Sequence, residues 1–319
     1  LYKDVMKKIL FLMLLFVILI NLNATKYAGE IFHLGAGVRN FALGNCGLTD
    51  TNSFAASYWN SALLTHISEN RFELMHAEEF TGLLKYDTAS AVWGKDTKFS
   101  AVFSYIGIND IPLTALQNPD AELSNDNRPY EYKNINNSDF VGYFGFSRKI
   151  AGYNIGFTPK VAYRTLAEET GFGFGADISV FFALKENWFL ALKIRDFFST
   201  QILWSTGTHE IVNPSLDAET KLVFHLPFWR YESKLYFRSE IFTEGRSESS
   251  VLSAGFISLD PHFGLEGKIS KNIDLLLGYD VDNFTSGLSI HLKSWLLNYS
   301  LEMDSALENS HRISVGFTL

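Results

Sequence analysis

The feature that most constrains the fold is a strict alternation of apolar and polar residues, which persists from Arg71 onward in segments of about ten residues. In "GFGFGADISVFFAL", one face of an extended strand carries Phe172, Phe174, Ala176, Ile178, Val180, Phe182 and Leu184, opposite Gly173, Gly175, Asp177 and Ser179. The segments "WLLNYSLEM" and "HRISVGFTL" repeat the pattern. Tilted strands of this length span a bilayer, so the alternation predicts a transmembrane β-barrel with an apolar outer face and a polar lumen.

The number and order of these segments predict the size of the barrel. Candidate strands cover 71–80, 83–93, 98–108, 138–149, 152–163, 172–184, 187–198, 220–229, 232–242, 250–257, 261–269, 272–280, 284–292, 295–303 and 310–319. Bacterial barrels have an even number of strands, short periplasmic turns and longer external loops. We take 109–137 and 199–219 as external loops. The periplasmic turns counted forward from the first strand and backward from the last strand then agree only if 250–257 is also part of an external loop. The prediction is an all-β, 14-stranded antiparallel barrel over 71–319; alternatively, one early hairpin lies outside the wall.

The first 70 residues do not alternate. Residues 1–24 have a basic start at Lys7 and Lys8, an apolar run to Asn21 and a small residue at Ala24, which predicts a secretory signal peptide with an over-extended start. An uncleaved anchor is the alternative. No later stretch approaches the roughly 20 apolar residues of a membrane helix. Residues 25–70 are expected to form an N-terminal plug, or hatch, although a short first strand remains possible.

Composition and motifs argue against several classes of function. A net charge of −8 disfavours a nucleic-acid partner, and a single cysteine, Cys46, excludes an intrachain disulfide. His225, His291 and His311 have no spacing that ties them to a serine and an acid, so we do not expect an enzyme. No cluster has metal-ligand spacing, and neither a metal nor another cofactor is predicted.

Three pieces of sequence resemble the PorV/PorQ outer-membrane proteins, a branch of the FadL-like barrels. The longest is "AGEIFHLGAGVRNFALGNCGLTDTNSFAASYWNSALL", in which the matching positions are Gly35, Gly37, Arg39, Gly44, Gly47, Asp50, Tyr58, Trp59, Asn60, Ala62 and Leu64. The others are "IPLT" at 111–114 and the ending "SHRISVGFTL". Ser61 and Leu63 depart from the proline and glycine of the family.

The resemblance implies a barrel in the bacterial outer membrane, surrounded by lipid and inserted by the barrel-assembly machinery through recognition of the last strand. It further implies a type IX secretion-linked or related surface or export component, whose partners are exported cargo or secretion components. The alternative is a FadL-like transporter of hydrophobic small molecules, which predicts an apolar pocket behind Tyr58 to Leu64.

Two sets of residues are candidates for the functional site. The plug or gate candidates are Tyr58, Trp59, Asn60, Ala62 and Leu64, which could instead only anchor the plug. The second set consists of charges on the inward face of the strands: Lys160, Arg164, Asp177, Lys193, Arg195, Arg238, Glu240, Glu266, Lys268, Asp274, Glu302 and Arg312. They could line a polar conduit, or they could pair with one another and fill a narrow lumen, since charges away from water need partners.

Overall fold

The computed structural model describes residues 25–80, 82–227, 229–304 and 308–319, so the predicted signal peptide lies outside the described residues. The strands are β1 (Arg71–Glu79), β2 (Leu84–Trp93), β3 (Phe99–Leu116), β4 (Pro129–Ile150), β5 (Tyr153–Leu166), β6 (Glu169–Lys185), β7 (Trp188–Arg195), β8 (Gln201–Trp204), β9 (His209–Ile211), β10 (Ser215–His225), β11 (Glu232–Phe242), β12 (Leu252–Ala254), β13 (Ile257–Ser270), β14 (Ile273–Asp280), β15 (Asn283–Leu292), β16 (Trp295–Met303) and β17 (Ser310–Thr318).

Antiparallel pairing closes these strands into a ring. β1 pairs with β2 on one side and with β17 on the other, where Arg71 faces Thr318 and Glu78 faces His311. β7 pairs directly with β10, and β11 with β13, so the short strands β8, β9 and β12 lie outside the ring. The result is a closed 14-stranded barrel, which confirms the predicted fold class and the exclusion of 250–257 from the wall.

The two faces of the wall have the polarity that the alternation predicts. On β1, Phe72 and Leu74 are 46% and 53% exposed, whereas Glu73 between them is buried. Phe174 and Val315 also point outward. A soluble protein buries its apolar residues and exposes its charges. Here the arrangement is inverted, as expected for a wall with lipid outside and a packed polar interior.

The external connections are more ordered than the sequence suggested. We expected loops over 109–137 and 199–219, but β3 continues to Leu116 and β4 begins at Pro129, paired beyond the membrane. Likewise, β8 and β9 form a small hairpin on β6, and β10 begins at Ser215. The loop prediction was therefore wrong over much of both stretches. Strands that stand in water on both faces need no apolar alternation, so the pattern could not reveal them.

The short turns lie at the opposite end of the barrel, which we assign to the periplasm. Three tryptophans beside these turns, Trp93, Trp229 and Trp295, are between 40% and 53% exposed on the outer face. Indole rings concentrate at membrane interfaces, where an apolar body and a polar N–H are both satisfied. This ring of tryptophans marks the periplasmic edge of the lipid-facing band.

The N-terminal segment, residues 25–70, precedes the wall. It contains two short α-helices, Val38–Ala42 and Ala56–Trp59, and two 3-10 helices, Glu30–Phe32 and Ser61–His66; a third 3-10 helix covers Ser247–Ser249. Most of its side chains are buried against inward-facing residues of the strands. No helix in the described ranges is both long enough and apolar enough to cross a membrane.

Candidate functional site

Glycines on the inward face of the wall let the N-terminal segment approach the strands closely. A Cβ atom added at Gly264 would lie 2.7 Å from the carbonyl oxygen of Leu43, and one at Gly287 would lie 2.6 Å from Cβ of Ala42. On the other side of the barrel, a Cβ at Gly156 would lie 2.7 Å from the carbonyl carbon of Ser61. Each position leaves no room for a side chain, which is a common reason for glycine in a strand.

The plug or gate candidates lie deep inside the barrel. Tyr58, Trp59, Asn60, Ala62 and Leu64 are each at most 1% exposed. Leu64 also borders a cavity of about 430 Å³ at the periplasmic end. The neighbouring Ser61 bonds to the wall, since its hydroxyl lies 2.6 Å from that of Thr158. These residues are therefore packed inside the barrel, in contact with the strands.

The polar groups of these side chains bind mostly to the N-terminal segment itself. The Tyr58 hydroxyl accepts a hydrogen bond from the Gly35 N–H at 2.8 Å. The Trp59 Nε1–H donates to the carbonyl oxygen of Ala36 at 2.7 Å. The Asn60 amide donates to the carbonyl oxygen of Leu48 at 2.8 Å. The bonds hold separate turns of the segment together as one packed body.

The same aromatic rings meet predicted lumen charges. The Arg195 guanidinium lies 5.0 Å from the centre of the Tyr58 ring, and the Arg238 guanidinium 5.3 Å from that of Trp59. Lys193 Nζ donates a hydrogen bond to the carbonyl oxygen of Tyr58 at 2.5 Å. Cations within about 6 Å of an aromatic face are attracted by its electrons. The structure thus brings the two candidate sets together.

Most of the predicted charges form ion pairs in the lumen. Lys160 and Lys193 both contact Asp177 at 2.9 Å, and Lys160 also contacts Asp196 at 2.7 Å. The largest group is built around the carboxylates Asp217 and Glu240. Arg195 contacts Asp217 at 2.6 Å, and Arg238 contacts Asp217 at 2.8 Å and Glu240 at 2.7 Å. The His33 ring lies 2.5 Å from Glu240.

The remaining predicted charges lie in two regions of the barrel, one near the periplasmic end and one toward the exterior. Near the periplasmic end, Arg39 of the N-terminal segment pairs with Asp50 at 2.8 Å and with Glu266, and Lys268 pairs with Asp274 at 3.1 Å. Toward the exterior, Arg312 bridges Glu302 at 2.8 Å and Glu79 at 2.7 Å, and Arg164 pairs with Asp139 at 2.9 Å. Each predicted charge therefore has a partner of opposite sign.

Sequence reasoning missed several partners in these networks. Asp217 and Glu219 fell in a stretch interpreted as an external loop, and Arg39 and Asp50 were noted only as family positions. Strand parity shows which face a residue occupies, but it does not show which residue of the N-terminal segment will meet it.

Glu219 is the most specific link between wall and segment. Its carboxylate accepts hydrogen bonds from three successive backbone N–H groups, of Gly47 at 2.8 Å, Leu48 at 3.0 Å and Thr49 at 2.7 Å. Successive N–H groups that converge in this way form a concave anion site. Next along β10, Lys221 Nζ donates to the carbonyl oxygen of Thr49 at 2.6 Å.

The histidines considered for catalysis are placed apart from one another. His291 lies 2.9 Å from Asp274, and His311 lies 2.9 Å from the Tyr299 hydroxyl. Among the residues that the structure describes, no group of three or more His, Cys, Asp or Glu side chains could hold a metal ion.

Cys46 reports on whether the N-terminal segment stays in place. Its side chain is fully buried between Leu43, Tyr236 and Leu276, and burial raises the pKa of the thiol well above its usual value. Because the thiolate is the reactive form, we expect no labelling of Cys46 by a water-soluble maleimide at pH 7.5 in the folded barrel, and complete labelling after unfolding in urea. Fast labelling of the folded protein would show that the segment leaves its position readily.

Comparisons with known proteins identify the fold. Neither protein-family models nor curated protein sequences give a match. Among solved structures, the toluene transporter TodX of P. putida aligns with a TM-score of 0.58 at 10% identity, over 89% of this chain and 98% of that one. The toluene transporter TbuX of Ralstonia pickettii aligns with a TM-score of 0.53 at 11% identity, over 89% of this chain and 97% of that one. At these identities the likeness concerns the fold alone.

The fold and the inverted polarity define a transmembrane β-barrel, with the fold seen in TodX and TbuX. The protein is a barrel of the bacterial outer membrane, with lipid around its apolar outer face. Both solved structures named above are toluene transporters, and neither of them is a PorV/PorQ protein or a component of type IX secretion by its description.

Proposed function

We propose that the protein is a gated transporter of small hydrophobic molecules across the outer membrane, with residues 25–70 as a removable plug. This corresponds to the FadL-like alternative. A role in type IX secretion, and the partners that it implies, remain a prediction from the sequence resemblance. Recovery of exported proteins by pull-down of the barrel from native membranes would support that role instead.

The observation that carries the proposal is the uneven lining of the lumen. The charged networks occupy β5 to β14 and, toward the exterior, β16, β17 and β1. Apart from Asp139 near the external end, β2 to β4 carry none of these charges, and their inward surface includes the apolar and aromatic side chains of Tyr86, Ile106, Val141 and Tyr143. If paired charges filled the lumen only to stabilise the barrel, such an apolar surface would not be needed. If the plug moved, this half of the lumen would form an apolar path.

The plug covers that path in the present structure. The Tyr58 ring packs edge-to-face on Tyr143 with centroids 5.2 Å apart, and Phe41 packs on Tyr86 at 6.3 Å. The wall holds the plug on its other side by ionic and hydrogen bonds, including those of Glu219. On the side of β2 to β4 the contacts are ring packing and a few hydrogen bonds, such as that from the Ser57 N–H to the Ser100 hydroxyl at 3.1 Å. They include no ion pair and cost less to break and remake than buried ion pairs. We therefore expect an apolar solute to enter on the side of β2 to β4.

Uptake by cells tests the proposal. In a bacterial host without its own FadL-like transporter, expression should accelerate uptake of radiolabelled toluene at least several-fold over a host that expresses an unrelated barrel. Glucose uptake should remain unchanged, because a sugar gains nothing from an apolar path. Equal acceleration of both solutes would indicate a general pore, and acceleration of neither would contradict transport.

A reversible crosslink tests whether the plug must move. In a Cys46→Ala background, Ser61→Cys and Thr158→Cys place two thiols where the hydroxyl oxygens are 2.6 Å apart, close enough for a disulfide. Oxidation should abolish toluene uptake and reductant should restore it. Each single cysteine variant serves as a control and should respond to neither treatment. Uptake that persists in the oxidised double variant would contradict a removable plug.

A further inference from the structure

A second cavity, of about 290 Å³, lies at the periplasmic end between the N-terminal segment and the start of β1. Its basic lining residues are Arg39, Arg71, Lys268, His291 and Lys293, and its acidic ones are Glu69 and Asp274. Asp274 is already engaged, since it pairs with Lys268 at 3.1 Å and with His291 at 2.9 Å. The lining therefore carries an excess of positive charge.

Arg71 is the unusual member of this lining. It is only 7% exposed, yet it forms no ion pair with a described carboxylate, and its Nε–H has no hydrogen-bond partner. Its Nη2 donates to the carbonyl oxygen of Thr51 at 2.9 Å, and the guanidinium lies 5.1 Å from the centre of the Phe54 ring. A buried charge normally has a counter-charge, as Arg39 has in Asp50 and Glu266. Arg71 lacks one.

The cavity also has an apolar side, of which Phe54 and Leu296 are buried and Trp295 faces the membrane. Phe54, Trp295 and Leu296 line it. Trp295 belongs to the ring of tryptophans and is 53% exposed on the outer face. One side of the cavity thus reaches the level at which lipid headgroups meet water, while Arg71 lies on the other side.

We propose that this cavity binds the anionic group of an amphipathic small molecule, with a carboxylate or phosphate at Arg71 and the apolar chain along Phe54 and Trp295. A guanidinium with a free N–H matches either anion through charge-assisted hydrogen bonds. Lys293 at the cavity mouth adds a second positive charge. The source is a membrane lipid or a free anion, and the site is independent of whether the barrel transports anything.

Binding to the full chain, purified in a non-ionic detergent, tests the site. The probes are dodecyl phosphate, dodecanoate, inorganic phosphate and the neutral analogue dodecanol, followed by tryptophan fluorescence and by the unfolding temperature. Both anionic amphiphiles should bind and raise the unfolding temperature, whereas dodecanol should not. Arg71→Gln should weaken binding of dodecyl phosphate by about tenfold or more, and Lys293→Gln by about threefold.

Two controls separate recognition from folding. Because Arg71 also holds Thr51, Arg71→Lys retains the charge and should recover part of the affinity. Lys293 lies on an exposed turn, and Lys271→Gln on another periplasmic turn is the matched control that should change nothing. Equal binding of inorganic phosphate and dodecyl phosphate would identify a free anion as the source, and binding of the amphiphiles alone a lipid. Equal binding of dodecanol, or unchanged affinity in both Arg71→Gln and Lys293→Gln, would overturn the proposal.

Discussion

Replacement of Gly264 by valine should release the plug from the barrel wall. The three atoms nearest to the added Cβ all belong to Leu43 of the N-terminal segment, and its carbonyl oxygen would lie 2.7 Å away. Overpacking of this kind costs about 1–3 kcal/mol, which corresponds to a rise of roughly five- to 150-fold in the released population. Maleimide labelling of the neighbouring Cys46 in the folded barrel should accelerate by that factor, and the conductance of single barrels in planar bilayers should increase.

Gly267→Val is the matched control for this prediction. It adds the same side chain to the same strand, β13, at a position where a Cβ meets nothing within 4 Å. Labelling of Cys46 should match that of the unmodified protein. If Gly264→Val also leaves both labelling and conductance unchanged, the N-terminal segment is a rigid part of the interior and not a removable plug.

Removal of the Asp217 carboxylate should cause the largest loss of stability. Asp217 is fully buried and accepts hydrogen bonds from Arg195 at 2.6 Å and Arg238 at 2.8 Å. In Asp217→Ala, two guanidinium groups compete for Glu240 alone. Breaking a buried pair in this way costs about 3–5 kcal/mol, because a charge remains without compensation. The urea concentration at which the heat-modifiable gel shift is half lost should fall accordingly.

Two further variants show whether charge is the cause. Addition of Arg238→Met to Asp217→Ala removes one of the stranded cations and should recover part of the lost stability. Glu168→Ala breaks the exposed pair with Lys133 on the external side and should leave the urea midpoint unchanged, because exposed pairs contribute little. An Asp217→Ala barrel as stable as the parent would mean that water reaches these arginines and that the lumen is wetter than the ion pairs suggest.

The sequence predicted the membrane-spanning parts of the strands better than the parts outside the membrane, because only the former have different solvents on their two faces. Where a strand meets lipid on one face and the lumen on the other, as at Phe174 and Asp177, the two solvents impose an alternation that can be read directly. The outer parts of β3 and β4 around Ile111 and Ile135 have water on both sides, so their pairing left no such pattern.

The inward-facing charges could also be predicted only in part. Inward charges such as Lys193 and Arg238 were identified from parity, but their partner Asp217 was not, because it lay in a stretch taken for a loop. The glycines at 156, 264 and 287 were not singled out from the sequence. Their close contact with the N-terminal segment became apparent only in the three-dimensional structure.

A period of two along each strand records the solvent on each face, and this was enough to predict a closed barrel with lipid outside. The filling of the interior became visible only in three dimensions: which carboxylate meets which cation, where the N-terminal segment lies against glycine, and that Arg71 has no carboxylate in direct contact. These contacts join residues far apart in the chain, and no local period records them.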